Sequence, residues 1–161
     1  MGLTNRFISQ IAIISALYAA LTVALAFMSY GPIQIRISEA LTVLPFISMA
    51  AIPGLTLGCL VANLFSPAGL PDIFFGSLCT LLAAGLTYLI SKTKKPFLAP
   101  LPPVVINSLG VSLYLHFFYN LPYWLNVLYI LIGEIIVCYL LGYPFLKLIL
   151  GKEKILKTLR I

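Results

Sequence analysis

Six apolar runs follow one another along this chain with almost no charge inside them, and that succession limits the fold more than any motif does. They are Phe7–Met28, Ser38–Ile47, Ala50–Phe65, Ile73–Ile90, Val104–Phe118 and Trp124–Leu150. A helix that crosses the hydrocarbon of a bilayer needs about 20 mostly apolar residues. Of the 161 residues, 61% are hydrophobic and 9% charged, against about 25% charged in an ordinary soluble domain. No soluble core of this size hides so much apolar surface. The expectation is an all-α polytopic membrane protein, with residues 1–161 forming one integral-membrane domain. Cys59, Cys79 and Cys138 lie inside apolar runs and match neither a disulfide framework nor a metal spacing.

The second and third runs are short. Fusing them gives five spans and puts Arg6 and the Lys92, Lys94, Lys95 cluster on opposite sides. Six spans gather the basic residues on one side and leave only Arg36 on the other, as positive-inside bias requires. Pro45, Pro53 and Gly54 supply a break between the two runs. Six transmembrane helices in a cell membrane, with both termini cytoplasmic, follow. The first run is longer than the ~7–15-residue core of a cleaved leader, so it is kept as a span. The net charge of +6 sits beside the ends of apolar runs, which argues against nucleic acid as a partner. The basic tail from Lys147 to Ile161 reads as a surface helix on the anionic leaflet.

A charge inside a bilayer costs about 2.5–3.5 kcal/mol on the insertion scale, so each of the four acidic residues needs a reason. Glu153 is a solvated charge in the tail. Glu39 and Asp72 each start a helix near the outer face, where either a role at a helix N-terminus or a ligand contact accounts for them. Glu134 lies about ten residues into the last run, roughly 15 Å below its outer end. No cap explains it; it is either a hydrogen-bonded staple between helices or a functional group. Asn63 adds an amide to the same layer. His116 suits interfacial packing, and Asn107 suits hydrogen bonding between helices. Arg36, Glu39, Asn63, Asp72, Trp124 and Glu134 therefore gather in the outer half, while the inner half offers few polar groups. That favours a capped outer pocket over a channel.

On the first helix, Ala12, Ala16, Ala20 and Ala24 recur every four residues. The stripe suits close approach of a helix, either within the bundle or from a partner subunit. The chain has no P-loop, no H-E-x-x-H, no Cys/His cluster and no G-x-S-x-G, so neither an enzyme, a metal nor a cofactor is expected.

The segment YGPIQIRISEALTVLPF at Tyr30–Phe46, followed by AIPGLTLGCLVANLFSPAGLPDIFFGSLCTLLAA at Ala51–Ala84, closely resembles the queuosine-precursor transporter family. These are QueT-like substrate-binding S-components of energy-coupling factor (ECF) transporters. The resemblance runs from the alanine ladder to GEIIVCYLLGYP at Gly133–Pro144. It implies six membrane helices, an outer substrate pocket and no nucleotide site. It also implies docking through Ala12, Ala16 and Ala20 onto a transmembrane coupling subunit carrying two cytoplasmic ATPases. The implied cargo is a 7-deazaguanine such as preQ0, preQ1 or queuine. Such a ring offers donors at N1 and the exocyclic amine and an acceptor at O6. Glu39 or Glu134 is expected to read the donor face. The second acidic group, or Asp72, would meet the ammonium of preQ1. Gln34 and Arg36 would close the pocket, and Tyr30 or Trp124 would stack on the ring. The alternatives are an autonomous proton-coupled carrier using Glu134, an S-component for another vitamin and, weakest, a membrane enzyme acting on lipid.

Overall fold

A chain bathed in hydrocarbon must satisfy its backbone hydrogen bonds internally, and helices do so here. The computed structural model describes residues 3–31 and 34–159, and among these there is no strand. Helix α1 is Leu3–Ala24, with a one-turn extension at Ala26–Ser29. Helix α2, Ile37–Phe46, is wound as a 3₁₀ helix, and α3 is Ala51–Asn63. The long helices α4, α5 and α6 are Gly69–Thr93, Pro96–Tyr119 and Tyr123–Leu150. A short α7, Glu153–Leu159, ends the described chain.

Four helices, α1, α4, α5 and α6, are long and apolar enough to cross a membrane. The two short runs form α2 and α3, of 10 and 13 residues, each about 20 Å long at 2.0 and 1.5 Å per residue. Six expected spans thus meet four helices of spanning length and two short ones within the bundle.

Contacts at the two ends show that the six segments alternate in direction. At one end, Ser48, in the α2–α3 turn, donates to Gln10 Oε1 of α1 at 3.0 Å, and Gln10 Nε2 donates to the Thr158 carbonyl of α7 at 2.7 Å. Phe97, in the first turn of α5, packs edge-on against Tyr143 of α6. At the other end Tyr30 donates to the Ala62 carbonyl, Tyr119 to the Ala68 carbonyl and Arg36 to Asp72. Arg6, Lys92, Lys94, Lys95, Lys147 and Lys152 are all exposed, in segments belonging to the first end. The basic tail does not lie free there: Leu156 and Leu159 of α7 pack against the core. Arg160, counted with that tail, lies outside the described residues.

Helix α2 stays 3₁₀ for ten residues, long for that geometry. Pro45 offers no N–H, Thr42 Oγ1 donates to the Glu39 carbonyl at 2.6 Å, and Ser38 pairs with Thr22 of α1 at 2.6 Å. Two stretches relax the other way. Asp72–Gly76 in α4 and Ile135–Gly142 in α6 are π-helical, a widening often found at functional sites.

Helix α1 meets α3 through a Gly54-x-x-x-Gly58 pair that the sequence reading did not single out. A Cβ at Gly58 would lie 2.8 Å from both the Ser15 carbonyl oxygen and the Tyr18 Cβ, so the helix backbones touch there. Gly58→Ala is expected to cost about 1–3 kcal/mol by forcing the crossing apart. A lowered melting temperature of the purified protein checks it; an unchanged one would mean the helices slide freely. The alanine ladder lies elsewhere on α1. Ile14, Tyr18 and Thr22 are buried, whereas Ala12, Ala16 and Ala20 are exposed. Packing within the bundle does not use that stripe.

Candidate functional site

Where α2, α4, α5 and α6 meet, polar side chains replace the apolar core. A small cavity there is lined by Gln34, Arg36, Glu39 and Glu134, all singled out from sequence, and by Gly76, Thr80, Asn107, Val111 and Ile130, which were not assigned to a site. Four separate helices supply the walls, so nothing short of the folded bundle creates them.

Each charged wall residue is held from behind. The Arg36 guanidinium donates to the Ser29 carbonyl at 3.3 Å, to Asn63 Oδ1 at 3.4 Å and to Asp72 Oδ2 at 3.3 Å. Its flat face lies over the Tyr30 ring, 5.4 Å from the centroid, a cation–π distance. The other Asp72 oxygen accepts from the Tyr114 hydroxyl, and Asn63 Nδ2 donates to the Asp72 carbonyl at 2.8 Å. Asp72 and Asn63 are buried but do not line the cavity. They orient Arg36. Gly76 is glycine because a Cβ there would stand 2.8 Å from Asn63 Nδ2 and 3.0 Å from Asp72 Oδ1.

Glu39 accepts from the Tyr18 hydroxyl through Oε1, while its Oε2 is buried without a partner. Glu134 accepts from Asn107 Nδ2 at 2.8 Å, and Cys138 Sγ lies 3.2 Å from its other oxygen. Asn107 Oδ1 is also buried without a partner. A buried polar atom that lacks a hydrogen bond asks for an explanation, and these two belong to residues of one cavity wall.

Tyr30 is half-buried; its hydroxyl donates to the Ala62 carbonyl at 2.6 Å, and it supports Arg36 from outside the cavity. Trp124 is 75% exposed, stacked edge-on with Tyr123, and lines no part of the cavity. His116 Nδ1 donates to the Leu121 carbonyl at 2.7 Å and fixes the α5–α6 turn. Asn107 was expected to bond between helices; it does so, and its free oxygen also belongs to the site. Tyr18, Thr80 and Tyr114 were missed, because hydroxyl residues inside apolar runs are ordinary in membrane helices.

The enclosed space measures about 10 Å³, room for about one water, against ~300–1,000 Å³ for sites that hold drug-sized ligands. Gln34 lines the cavity with a φ of +48°, in the left-handed region, which a non-glycine residue occupies at a cost. A larger groove of about 490 Å³ opens between α4 and α5, lined by residues such as Phe75, Leu78, Leu82, Leu113 and Phe117. It is apolar, and the Tyr114 hydroxyl at its edge is already committed to Asp72. The small cavity is where a polar molecule finds partners.

Comparison with known proteins agrees with the sequence resemblance. A curated relative named "Queuosine precursor transporter QueT", from Lactococcus lactis subsp. cremoris (strain MG1363), is 40% identical over 85 residues, covering 52% of this chain and 50% of the relative. The matched stretch thus spans about half the length of that relative. No solved structure matches. The family model described as "QueT transporter" matches residues 8–151, and the chain accordingly belongs to the QueT transporter family.

Proposed function

We propose that this chain is the substrate-binding membrane subunit, or S-component, of an ATP-driven ECF-type importer, and that its cargo is a 7-deazaguanine queuosine precursor such as preQ0, preQ1 or queuine. The observation that carries the reading is the buried polar cavity inside an apolar bundle. Glu39, Glu134 and Asn107 supply acceptors on its walls, and Arg36 and Gln34 supply donors. A deazaguanine edge has the complementary pattern, two adjacent donor sites beside a carbonyl acceptor, and a carboxylate matches the donor pair in bidentate fashion. The name of the L. lactis relative supports the same class of cargo. With six crossings and cytoplasmic termini, the cavity belongs to the outer half of the membrane. The exposed Ala12, Ala16 and Ala20 stripe suits docking onto a transmembrane coupling subunit whose two ATPases supply the energy; this chain has no nucleotide motif of its own.

Titration calorimetry on the purified chain tests the reading. A deazaguanine should bind without ATP or partner proteins. Glu134→Gln should weaken binding by about tenfold or more, the size of one lost charged hydrogen bond; unchanged affinity removes Glu134 from the site. Uptake by this chain alone into liposomes under a pH gradient would point instead to an autonomous carrier.

A further inference from the structure

We propose that the lysine-bearing end of the α4–α5 seam binds one anionic phospholipid, whose acyl chain fills an apolar hollow there while its phosphate meets Lys92, Lys94 and Lys95. The proposal does not depend on which cargo the cavity takes.

The hollow supplies the first argument. About 250 Å³ of space opens between α4 and α5, lined by Leu86, Ile90, Leu101, Pro102, Val105 and Ile106. Leu86, Leu101 and Val105 are exposed, so the hollow faces whatever surrounds the bundle. None of the six side chains carries a hydrogen-bonding group. Apolar walls around an unfilled space forfeit dispersion contacts. In a bilayer, acyl chain is the material that restores them.

Charge then selects the lipid. Ile90 lines the hollow from α4 and Leu101 from α5. The loop that joins these two walls, residues 91–100, carries Lys92, Lys94 and Lys95. All three are exposed. None pairs with a carboxylate among the described residues, where the ion pair is Arg36–Asp72; Glu39, Asp72 and Glu134 are buried in the bundle. The turn that carries the lysines is tied down. Thr93 Oγ1 donates to the Ile90 carbonyl at 2.8 Å and accepts from the Lys95 N–H at 3.3 Å. The Lys94 N–H donates to the Ser91 carbonyl at 3.0 Å, with a left-handed φ of +57° that closes the end of α4. Phe97 then packs on Tyr139 and Tyr143 of α6, with ring centroids 5.4 and 5.8 Å away. Three ammoniums are thus held beside the hollow before a lipid arrives. Lysine meets phosphate as a point charge, and lysines at a membrane surface attract anionic lipids.

The larger hollow on the same seam gives the contrast. Its lining is apolar as well, but the segments that flank it, 64–71 and 119–122, contain no lysine or arginine. A chain can lie there, yet no exposed charge holds a headgroup. The anchored lipid therefore belongs to the leaflet at the lysine end.

Native mass spectrometry of the purified full chain, titrated with phosphatidylglycerol or phosphatidylcholine of identical chains, tests the proposal. One phosphatidylglycerol per chain should bind about tenfold more tightly than phosphatidylcholine. Lys92→Gln, Lys94→Gln and Lys95→Gln together should erase that preference. Arg6→Gln, Lys147→Gln and Lys152→Gln together remove the same charge elsewhere at that end and should keep it. Val105→Trp, which fills the hollow, should weaken phosphatidylglycerol binding about tenfold, the size of a few lost methylene contacts. Leu109→Trp, exposed on α5 but outside both linings, should not. Glycerol phosphate, a headgroup without chains, should fail to compete. Equal affinity for the two lipids overturns the proposal, as does a preference that survives the first lysine set or falls equally with the second. Displacement by glycerol phosphate would make this a site for soluble anions and overturn it too. So would a dimer that Val105→Trp dissociates, since a second copy would then cover the hollow, or a Val105→Trp loss that Leu109→Trp matches. Should Val105→Trp fail to fold, the two sets of charge variants decide.

Discussion

Replacing Asp72 with alanine should destabilise the protein by about 3–5 kcal/mol, the usual cost of removing one partner from a buried ion pair. Both side chains of the Arg36–Asp72 pair are buried, and Asp72 also accepts from Tyr114. Alanine would leave a guanidinium with only the Ser29 carbonyl and Asn63 as polar partners and a buried phenol with none. Chemical unfolding in detergent measures the loss; a change below about 1 kcal/mol would place the pair in the class of solvent-screened surface bridges. The double variant Arg36→Met, Asp72→Leu separates stability from recognition. Apolar replacement of a whole buried pair is often neutral, so stability should largely return. Binding of the proposed deazaguanine cargo should not, because the cavity would have lost its oriented guanidinium.

The second large effect is on transport. On the docking and cargo proposed above, Ala16→Phe should reduce uptake of labelled deazaguanine to background in cells that supply the coupling subunit and ATPases, while the purified variant binds ligand within about twofold of wild type. Ala16 is exposed, in register with Ala12 and Ala20 and away from the buried Ile14, Tyr18 and Thr22 face. A partner helix reaches such a stripe only because the side chains are small; a ring at its centre holds the helices apart. Leu17→Phe, at a neighbouring exposed position, is the control and should transport normally. Uptake that survives Ala16→Phe would remove the docking face from α1.

Much of the architecture was legible because hydrocarbon leaves a chain few choices. The long runs at Ile73–Ile90, Val104–Phe118 and Trp124–Leu150 became helices long and apolar enough to cross a membrane, and the rare acids were informative because burying them is costly. Asp72 shows the limit of that logic. Its place at a helix start was clear, but whether it faces a ligand or a neighbouring arginine depends on which helix packs against α4. Trp124 was grouped with the site because an aromatic at an interface and one in a pocket look alike in sequence. The 3₁₀ winding of α2 was hidden as well, since it depends on bonds such as Ser38 to Thr22, between residues far apart along the chain.

The two π-helical stretches carry a consequence for how the chain's faces are counted. Each residue in such a stretch advances the helix by less than the ~100° of an α-helix. Side chains beyond Gly76 and Gly142 are therefore rotated in phase relative to those before Asp72 and Ile135. A helical wheel drawn through α6 as a single cylinder would assign Leu146, which is fully buried, to the wrong sector. Cysteine scanning with a lipid-confined reagent should record that offset as a jump in the labelling period across Ile135–Gly142, and a labelling wave that ran through unbroken would mean the stretch rewinds to ordinary pitch in the bilayer.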